Sequence, residues 1–66
     1  MTKPEAIDLM QQGIKMTHEY FSPTEWVTIK NGNYLLEDGV ECSYQEFWKW
    51  RQETYWQTGW EKFKGE

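Results

Sequence analysis

Apolar residues near the start of the chain recur with the period of a helix. The residues of this apolar face are Ala6, Ile7, Met10 and Ile14. Thr2 and Glu5 form a capping box, in which each side chain bonds the other residue's backbone N–H, and Pro4 suits the first turn. The pattern predicts a helix over about residues 3–12, with Gly13 as a left-handed stop.

From Ile14 onward the apolar spacing changes to every second residue, which is typical of a half-buried strand. The apolar face of this strand is predicted to carry Ile14, Met16, His18 and Tyr20. A corner over residues 21–25 leads to a second strand over residues 26–30. Asn31 and Gly32 then favour the two positive φ angles of a type I′ hairpin turn.

The return strand of this hairpin is predicted over residues 34–37. Asp38 and Gly39 repeat the hairpin signal, and Val40 and Cys42 then alternate with Glu41. The three strands are therefore expected to form an antiparallel meander.

Ser43 and Glu46 form a second capping box, which opens a predicted helix that extends to about Tyr55. On this helix an aromatic stripe that includes one arginine consists of Tyr44, Phe47, Trp48, Arg51 and Tyr55, and Trp50 lies at its edge. Residues 56–59 are predicted as a turn and residues 60–63 as a closing strand. Together these elements predict one α+β domain over residues 1–66, with two helices and a small antiparallel sheet of meander and edge strands, in the order α-β-β-β-β-α-β.

Aromatic residues are abundant, with five tryptophans, four tyrosines and three phenylalanines among 66 residues. Rings at strand and helix spacing are more often core than binding site, and both interpretations stay open. Five indoles exceed what so small an interior encloses with every N–H bonded, so we expect some exposed tryptophan. We also expect a homo-oligomer that buries further aromatic surface.

The charge and the cysteine content narrow the class of protein. A net charge of −4 argues against a binder of duplex nucleic acid, although acidity also suits a protein that imitates nucleic acid. No apolar run reaches membrane-spanning length, and the first residues lack a signal-peptide pattern. A single cysteine, Cys42, excludes an internal disulfide. We therefore expect a cytoplasmic protein with no membrane contact.

Few side chains offer catalytic chemistry. The chain has one histidine, one cysteine, no Gly-rich phosphate loop and no nucleophile elbow. We expect no enzyme, no cofactor and no metal site. His18 is interpreted first as a hydrogen-bonded core histidine and Cys42 as a small buried hydrophobe.

Arg51 differs from the other basic residues because it falls within an aromatic stripe. A guanidinium between rings can stack on a base or bond a phosphate, since it is always charged. The alternative is that Arg51 lies across a tryptophan and pairs with Glu46 or Glu53.

Several short motifs are similar to those of one family. They are Glu5, Ala6, Leu9, Gly13 and Lys15 in the first helix region, Tyr20, Phe21 and Trp26 around the first strands, Asp38 and Gly39, and Gly59 and Trp60. This order resembles the small phage proteins that sequester cyclic ADP-ribose or related cyclic nucleotide signals and so silence Thoeris or CBASS defence. The resemblance implies a short α+β domain that assembles into oligomers and holds the nucleotide between subunits without cleaving it.

By position, the resemblance also implies a ligand site. Its residues would be His18, Tyr20, Trp26, Arg51, Trp56 and Trp60. The rings would stack on bases and Arg51 would contact the pyrophosphate, with Lys15 as a helper. The first hypothesis is thus a phage counter-defence protein, in the cytoplasm of an infected bacterium, that sequesters a cyclic ADP-ribose isomer or a cyclic oligonucleotide.

Two alternatives stay open. One is an acidic inhibitor that binds a host defence protein directly, such as a nuclease or a CRISPR or restriction effector, in place of nucleic acid. Its contact face would consist of Glu37, Asp38, Glu41 and Glu46. The other is a small phage adaptor or structural subunit.

Overall fold

The computed structural model describes residues 1–64, and in this part of the chain five strands form one antiparallel sheet beside two α-helices. The elements are α1 (Lys3–Gln11), β1 (Met16–His18), β2 (Val27–Lys30), β3 (Asn33–Leu36), β4 (Glu41–Cys42), α2 (Tyr44–Lys49), a 3₁₀ helix (Thr54–Gln57) and β5 (Trp60–Lys62). The strand order is β4-β3-β2-β1-β5, and all neighbours are antiparallel. The predicted α+β class and element order are confirmed.

Both α-helices begin with the predicted capping boxes. Thr2 Oγ1 accepts the Glu5 N–H at 3.3 Å, and Glu5 Oε1 accepts the Thr2 N–H at 2.9 Å. Ser43 and Glu46 repeat this exchange at 3.2 and 2.9 Å. Because the backbone N–H of Thr2 or Ser43 bonds the ionised carboxylate, the pKa of each glutamate lies below its usual value.

The core lies between the sheet and the helices and consists largely of rings. Its buried apolar residues are Ala6, Met10, Met16, Val27, Tyr34, Phe47, Trp48, Trp56 and Trp60. The register pairs Val27 with Leu36 and Ile29 with Tyr34, so these four side chains share one face of the sheet. Tyr34 stacks on Phe47 of α2 with ring centroids 4.8 Å apart, which joins the sheet to that helix.

The indole N–H groups of the buried tryptophans all have acceptors. Trp48 Nε1 donates to Tyr34 Oη at 2.8 Å, and Trp60 Nε1 donates to the Trp56 carbonyl at 2.7 Å. Trp56 Nε1 donates to Glu53 Oε1 at 3.1 Å. Each indole therefore enters the interior without leaving a buried donor unpaired.

The second helix is shorter than the sequence predicts. α2 ends at Lys49 rather than near Tyr55, and the 3₁₀ helix Thr54–Gln57 replaces its expected last turn. His18 Nε2 lies 3.0 Å from the Tyr55 carbonyl oxygen and 2.7 Å from that of Thr58. These contacts with β1 hold the segment in a tighter path than a continued α-helix would follow.

The first strand is also shorter than predicted, since β1 covers three residues instead of residues 14–20. His18 Nδ1 accepts the Tyr20 N–H at 3.0 Å, and the His18 carbonyl accepts the Phe21 N–H at 2.9 Å. These local bonds start the corner directly after His18. Tyr20, which was expected on the buried face, is consequently 60% exposed.

The two hairpin turns differ in type. Residues 31–32 have φ angles of +54° and +81°, which confirms the predicted type I′ turn. In the second turn Gly39 has a positive φ but Asp38 does not, so the prediction of a second type I′ turn at residues 38–39 is wrong. The Leu36 carbonyl accepts the Gly39 N–H, and the Val40 carbonyl accepts the Leu36 N–H. This pattern describes a longer turn closed by a glycine bulge, and it leaves Val40 exposed outside the strand.

Candidate anion-binding cleft

The structure does not bring the six predicted ligand residues to one surface. His18, Trp56 and Trp60 are buried, with the His18 ring 4.3 Å from Trp56 and 4.8 Å from Trp60. His18 is the hydrogen-bonded core histidine that the sequence favours. Because these rings pack on one another inside the protein, Trp56 and Trp60 have almost no free surface for a base.

Tyr20 is exposed at the edge of the same ring cluster, with its ring centroid 5.6 Å from that of His18 and 4.4 Å from that of Tyr55, whereas Trp26 lies apart from the other five predicted residues. Trp26 is half-buried 6.4 Å from Phe63, and Lys15 Nζ lies 4.4 Å from the Trp26 ring centroid. Lys15 therefore serves as a cation–π partner of Trp26 in the structure.

Arg51 is partly buried among rings, as its position in the sequence suggested. Its guanidinium lies 4.2 Å from the Phe47 ring centroid and within 6 Å of Phe21 and Trp56. Arg51 Nη1 donates to the Phe47 carbonyl at 3.0 Å, whereas the buried Nε has no partner among the described residues. The guanidinium is therefore held in place with part of its hydrogen-bonding capacity unused.

The alternative account of Arg51 is right about a neighbouring tryptophan, since Trp56 lies 5.7 Å away, but wrong about pairing with Glu46 or Glu53. Glu46 accepts from the Ser43 N–H and Glu53 from the Trp56 indole, and within residues 1–64 Arg51 makes no ion pair. Burial lowers the pKa of the Arg51 guanidinium from its usual value, although a guanidinium remains charged at neutral pH. Glu25 lies near enough to act in the opposite direction without forming an ion pair, so the charge of the partly desolvated guanidinium is only partly compensated and still favours the approach of an anion.

Arg51 lines an open cleft of about 490 Å³ between the start of α1 and the end of α2. The lining residues are the cations Lys3, Lys49 and Arg51, the amides Gln45, Gln52 and Gln57, and Trp48. None of these described lining residues is acidic, although the whole chain has 11 acidic and 7 basic residues. Positive charge is thus concentrated at one place on an acidic protein.

Local contacts fix the walls of this basic cleft. Lys3 Nζ lies 4.0 Å from the Trp48 ring centroid, and Trp48 is itself anchored by its bond to Tyr34. The Gln52 side-chain amide donates to the Lys49 carbonyl at 2.9 Å. The cleft therefore combines cations with oriented amide groups, which are the groups that bind phosphates and sugar or base edges.

Two other surface cavities are less suited to an anion. One, of about 350 Å³, lies between α1, the β2–β3 turn and Tyr44, and its described lining carries no charged side chain. The other, of about 310 Å³, has Lys62 and Lys64 beside Glu61. Of the three cavities, the basic cleft has the strongest positive character.

The four acidic residues of the alternative contact face are all exposed, and two of them also accept local backbone hydrogen bonds. Glu37, Asp38 and Glu41 are exposed on the β3–β4 hairpin, where Asp38 Oδ1 accepts the Val40 N–H. Glu46 is exposed in the first turn of α2, where its Oε1 accepts the Ser43 N–H.

No protein-family model matches the chain, and no curated protein or solved structure matches it. Within residues 1–64, no group of three or more His, Cys, Asp and Glu side chains is placed to hold a metal ion. No helix in the same part of the chain is both long and apolar enough to cross a membrane.

Sequence reasoning identified Arg51 but missed its neighbours in the cleft. Lys49 carried a local signal, since it stands two positions before Arg51 on the same predicted helix. Lys3 lies 48 positions away from Arg51 in the sequence, and the folded chain brings it to the cleft through its contact with the Trp48 ring.

Proposed function

We propose that this protein binds a phosphate-bearing nucleotide in the basic cleft and holds it without cleaving it. The observation that carries the proposal is the grouping of Lys3, Lys49 and Arg51, without a carboxylate among the lining residues, on a chain of net charge −4. Hydrogen bonds from charged donors to phosphate oxygens contribute about 1.5–3 kcal/mol each. Three such donors account for appreciable affinity even in an open site.

The chemistry of the lining supports capture. Cations neutralise phosphates, and glutamine amides bond hydroxyl groups or base edges. Binding alone lowers the free concentration of a signal when the protein is more abundant than the signal and the complex dissociates slowly.

The finer proposal is that the nucleotide is a cyclic immune signal and the protein a phage counter-defence sponge acting in the bacterial cytoplasm. Support for it comes from the sequence resemblance, and the basic cleft shares only Arg51 with the site which that resemblance implies. A cyclic ADP-ribose isomer or a cyclic oligonucleotide has the phosphates that the cleft favours. The expected homo-oligomer stays a prediction, and light scattering measures it.

Capture and release test this proposal. The protein is mixed with cyclic ADP-ribose or a cyclic dinucleotide, its melting temperature is recorded, and the ligand released by heating is analysed by mass spectrometry. A ligand at 100 times its Kd stabilises the folded state by about 2.7 kcal/mol, and each kcal/mol raises Tm by about 4–8 °C in a domain of this size. We expect a clear rise in Tm and recovery of the intact ligand.

Two results would contradict the proposal. If neither cyclic ADP-ribose nor the cyclic dinucleotide changes the melting temperature, the protein does not capture these nucleotides. If the ligand recovered from the heated sample is hydrolysed, the protein does not hold it without cleavage. Co-purification of a host nuclease or effector with the unresponsive protein would instead favour direct inhibition of a defence protein.

A further inference from the structure

We infer that Trp50 is the platform on which the base of the captured nucleotide stacks, an inference that rests on the function proposed for the basic cleft. Trp50 is 76% exposed, whereas Trp48, Trp56 and Trp60 are buried and Trp26 is half-buried. The surplus indole surface expected from the composition is thus concentrated in Trp50. The sequence pattern placed this residue only at the edge of a stripe.

Trp50 lies directly beside the basic cleft. Lys49 lines the cleft, and its Nζ lies 5.2 Å from the Trp50 ring centroid. Arg51, the next residue, lines the same cleft, and its backbone N–H bonds the Trp48 carbonyl at 3.0 Å. Trp50 is the C-cap of α2, and its contact with Lys49 places the exposed ring next to a residue that lines the cleft. A nucleoside attached to a phosphate at Lys49 would reach the ring.

The surroundings of Trp50 favour a base over an uncharged apolar partner. Trp50 stands between the cationic residues Lys49 and Arg51 in the sequence. A ligand that covers the Trp50 ring with one part and enters the basic cleft with another must therefore be flat in the first part and negatively charged in the second. Nucleotides combine these properties, and the π-face of every base stacks on an indole. Purines overlap the indole more than pyrimidines do, so the platform favours purine nucleotides.

The experiment uses ADP, CDP and inorganic pyrophosphate as probes and measures their Kd by calorimetry and indole fluorescence. The variants are Trp50→Ala and Trp50→Phe. The matched control is Tyr44→Ala, which removes a 50% exposed ring from the same helix outside the basic cleft. Circular dichroism verifies that each variant remains folded.

We expect Trp50→Ala to weaken ADP binding by roughly 5- to 150-fold, the range for loss of one base–aromatic stack, and to leave pyrophosphate binding unchanged. Trp50→Phe keeps most of the ADP affinity, and Tyr44→Ala keeps all of it. ADP quenches the fluorescence of the wild-type protein more than CDP does, and pyrophosphate does not quench it.

The outcomes separate this inference from the function on which it rests. If pyrophosphate and ADP bind equally and Trp50→Ala changes neither Kd, the platform is overturned while the anion cleft stands. If Tyr44→Ala weakens ADP as much as Trp50→Ala does, the base lies elsewhere and the platform is again overturned. If no probe binds, both the platform and the proposed function are overturned.

Discussion

The Tyr34→Phe substitution removes one hydroxyl group and tests how much the hydrogen bond to a buried indole contributes to the free energy of unfolding. Tyr34 is buried in β3, and its Oη accepts the Trp48 Nε1–H at 2.8 Å. The substitution leaves the stacking of this ring on Phe47 in place. What it removes is the acceptor, so Trp48 keeps a buried N–H without a partner.

The expected loss follows from that unpaired donor. A buried polar group deprived of its partner costs about 1–3 kcal/mol, and the near-constant volume of the ring adds no large cavity term. At about 4–8 °C per kcal/mol, the melting temperature falls clearly in a 66-residue protein. Because Trp48 also forms a wall of the basic cleft, ligand affinity is expected to fall in parallel.

Urea denaturation followed by circular dichroism measures the free energy of unfolding. Tyr20→Phe is the matched control because its ring is 60% exposed and its hydroxyl has no hydrogen bond among the described residues. We expect this control to lie within about 0.5 kcal/mol of the wild type. Equal stabilities for Tyr34→Phe and Tyr20→Phe would refute the role assigned to the Tyr34–Trp48 bond.

Two further predictions concern a glycine and a helix cap. Gly59→Ala should lower the free energy of unfolding in urea more than Gly13→Ala does. Both glycines have φ +86°, a conformation that costs alanine roughly 1–2 kcal/mol. Of these two positions, only at Gly59 would the new Cβ meet the Glu19 carboxylate and lie 3.0 Å from His18 Nε2. Equal losses would show that this contact relaxes freely. Because the folded pKa of Glu46 lies below 4.5, its carboxylate stabilises the protein fully above that pH and progressively less as pH falls through the folded value. Glu46→Gln should therefore flatten the decline of Tm on acidification, and an unchanged profile would contradict the cap assignment.

Features that depend on neighbouring residues in the sequence could be predicted. The capping box at Glu5 and the type I′ turn at residues 31–32 need only local bonds, and both occur as expected. The end of α2 at Lys49 could not be found in this way, because the His18 ring, 31 positions earlier, bonds the carbonyl groups that follow the helix. Lys3 joined the candidate site for the same reason, through packing between distant elements.

Composition predicted that some indole surface stays exposed, but not which residue supplies it. Trp56 and Trp60 were nominated for the ligand, yet both are buried, each with its indole N–H bonded. Trp50 follows the last residue of a helix that was expected to continue, so its exposure depended on where α2 ends. An error of six residues in the end of this helix, Lys49 instead of about Tyr55, thus shifted the predicted aromatic surface.

The most direct test of the basic cleft is a calorimetric titration of cyclic ADP-ribose into two charge-matched variants. One carries Lys3→Gln and Lys49→Gln in the cleft, and the other carries Lys30→Gln and Lys62→Gln at exposed positions outside it. Both lose two positive charges, so a general electrostatic effect weakens them equally. We expect about a tenfold loss of affinity in the cleft variant, since two solvent-screened charge contacts in the upper half of the range of about 0.2–1 kcal/mol each sum to roughly 1.4 kcal/mol, and near wild-type binding in the other. Equal affinities in the two variants would contradict this expectation.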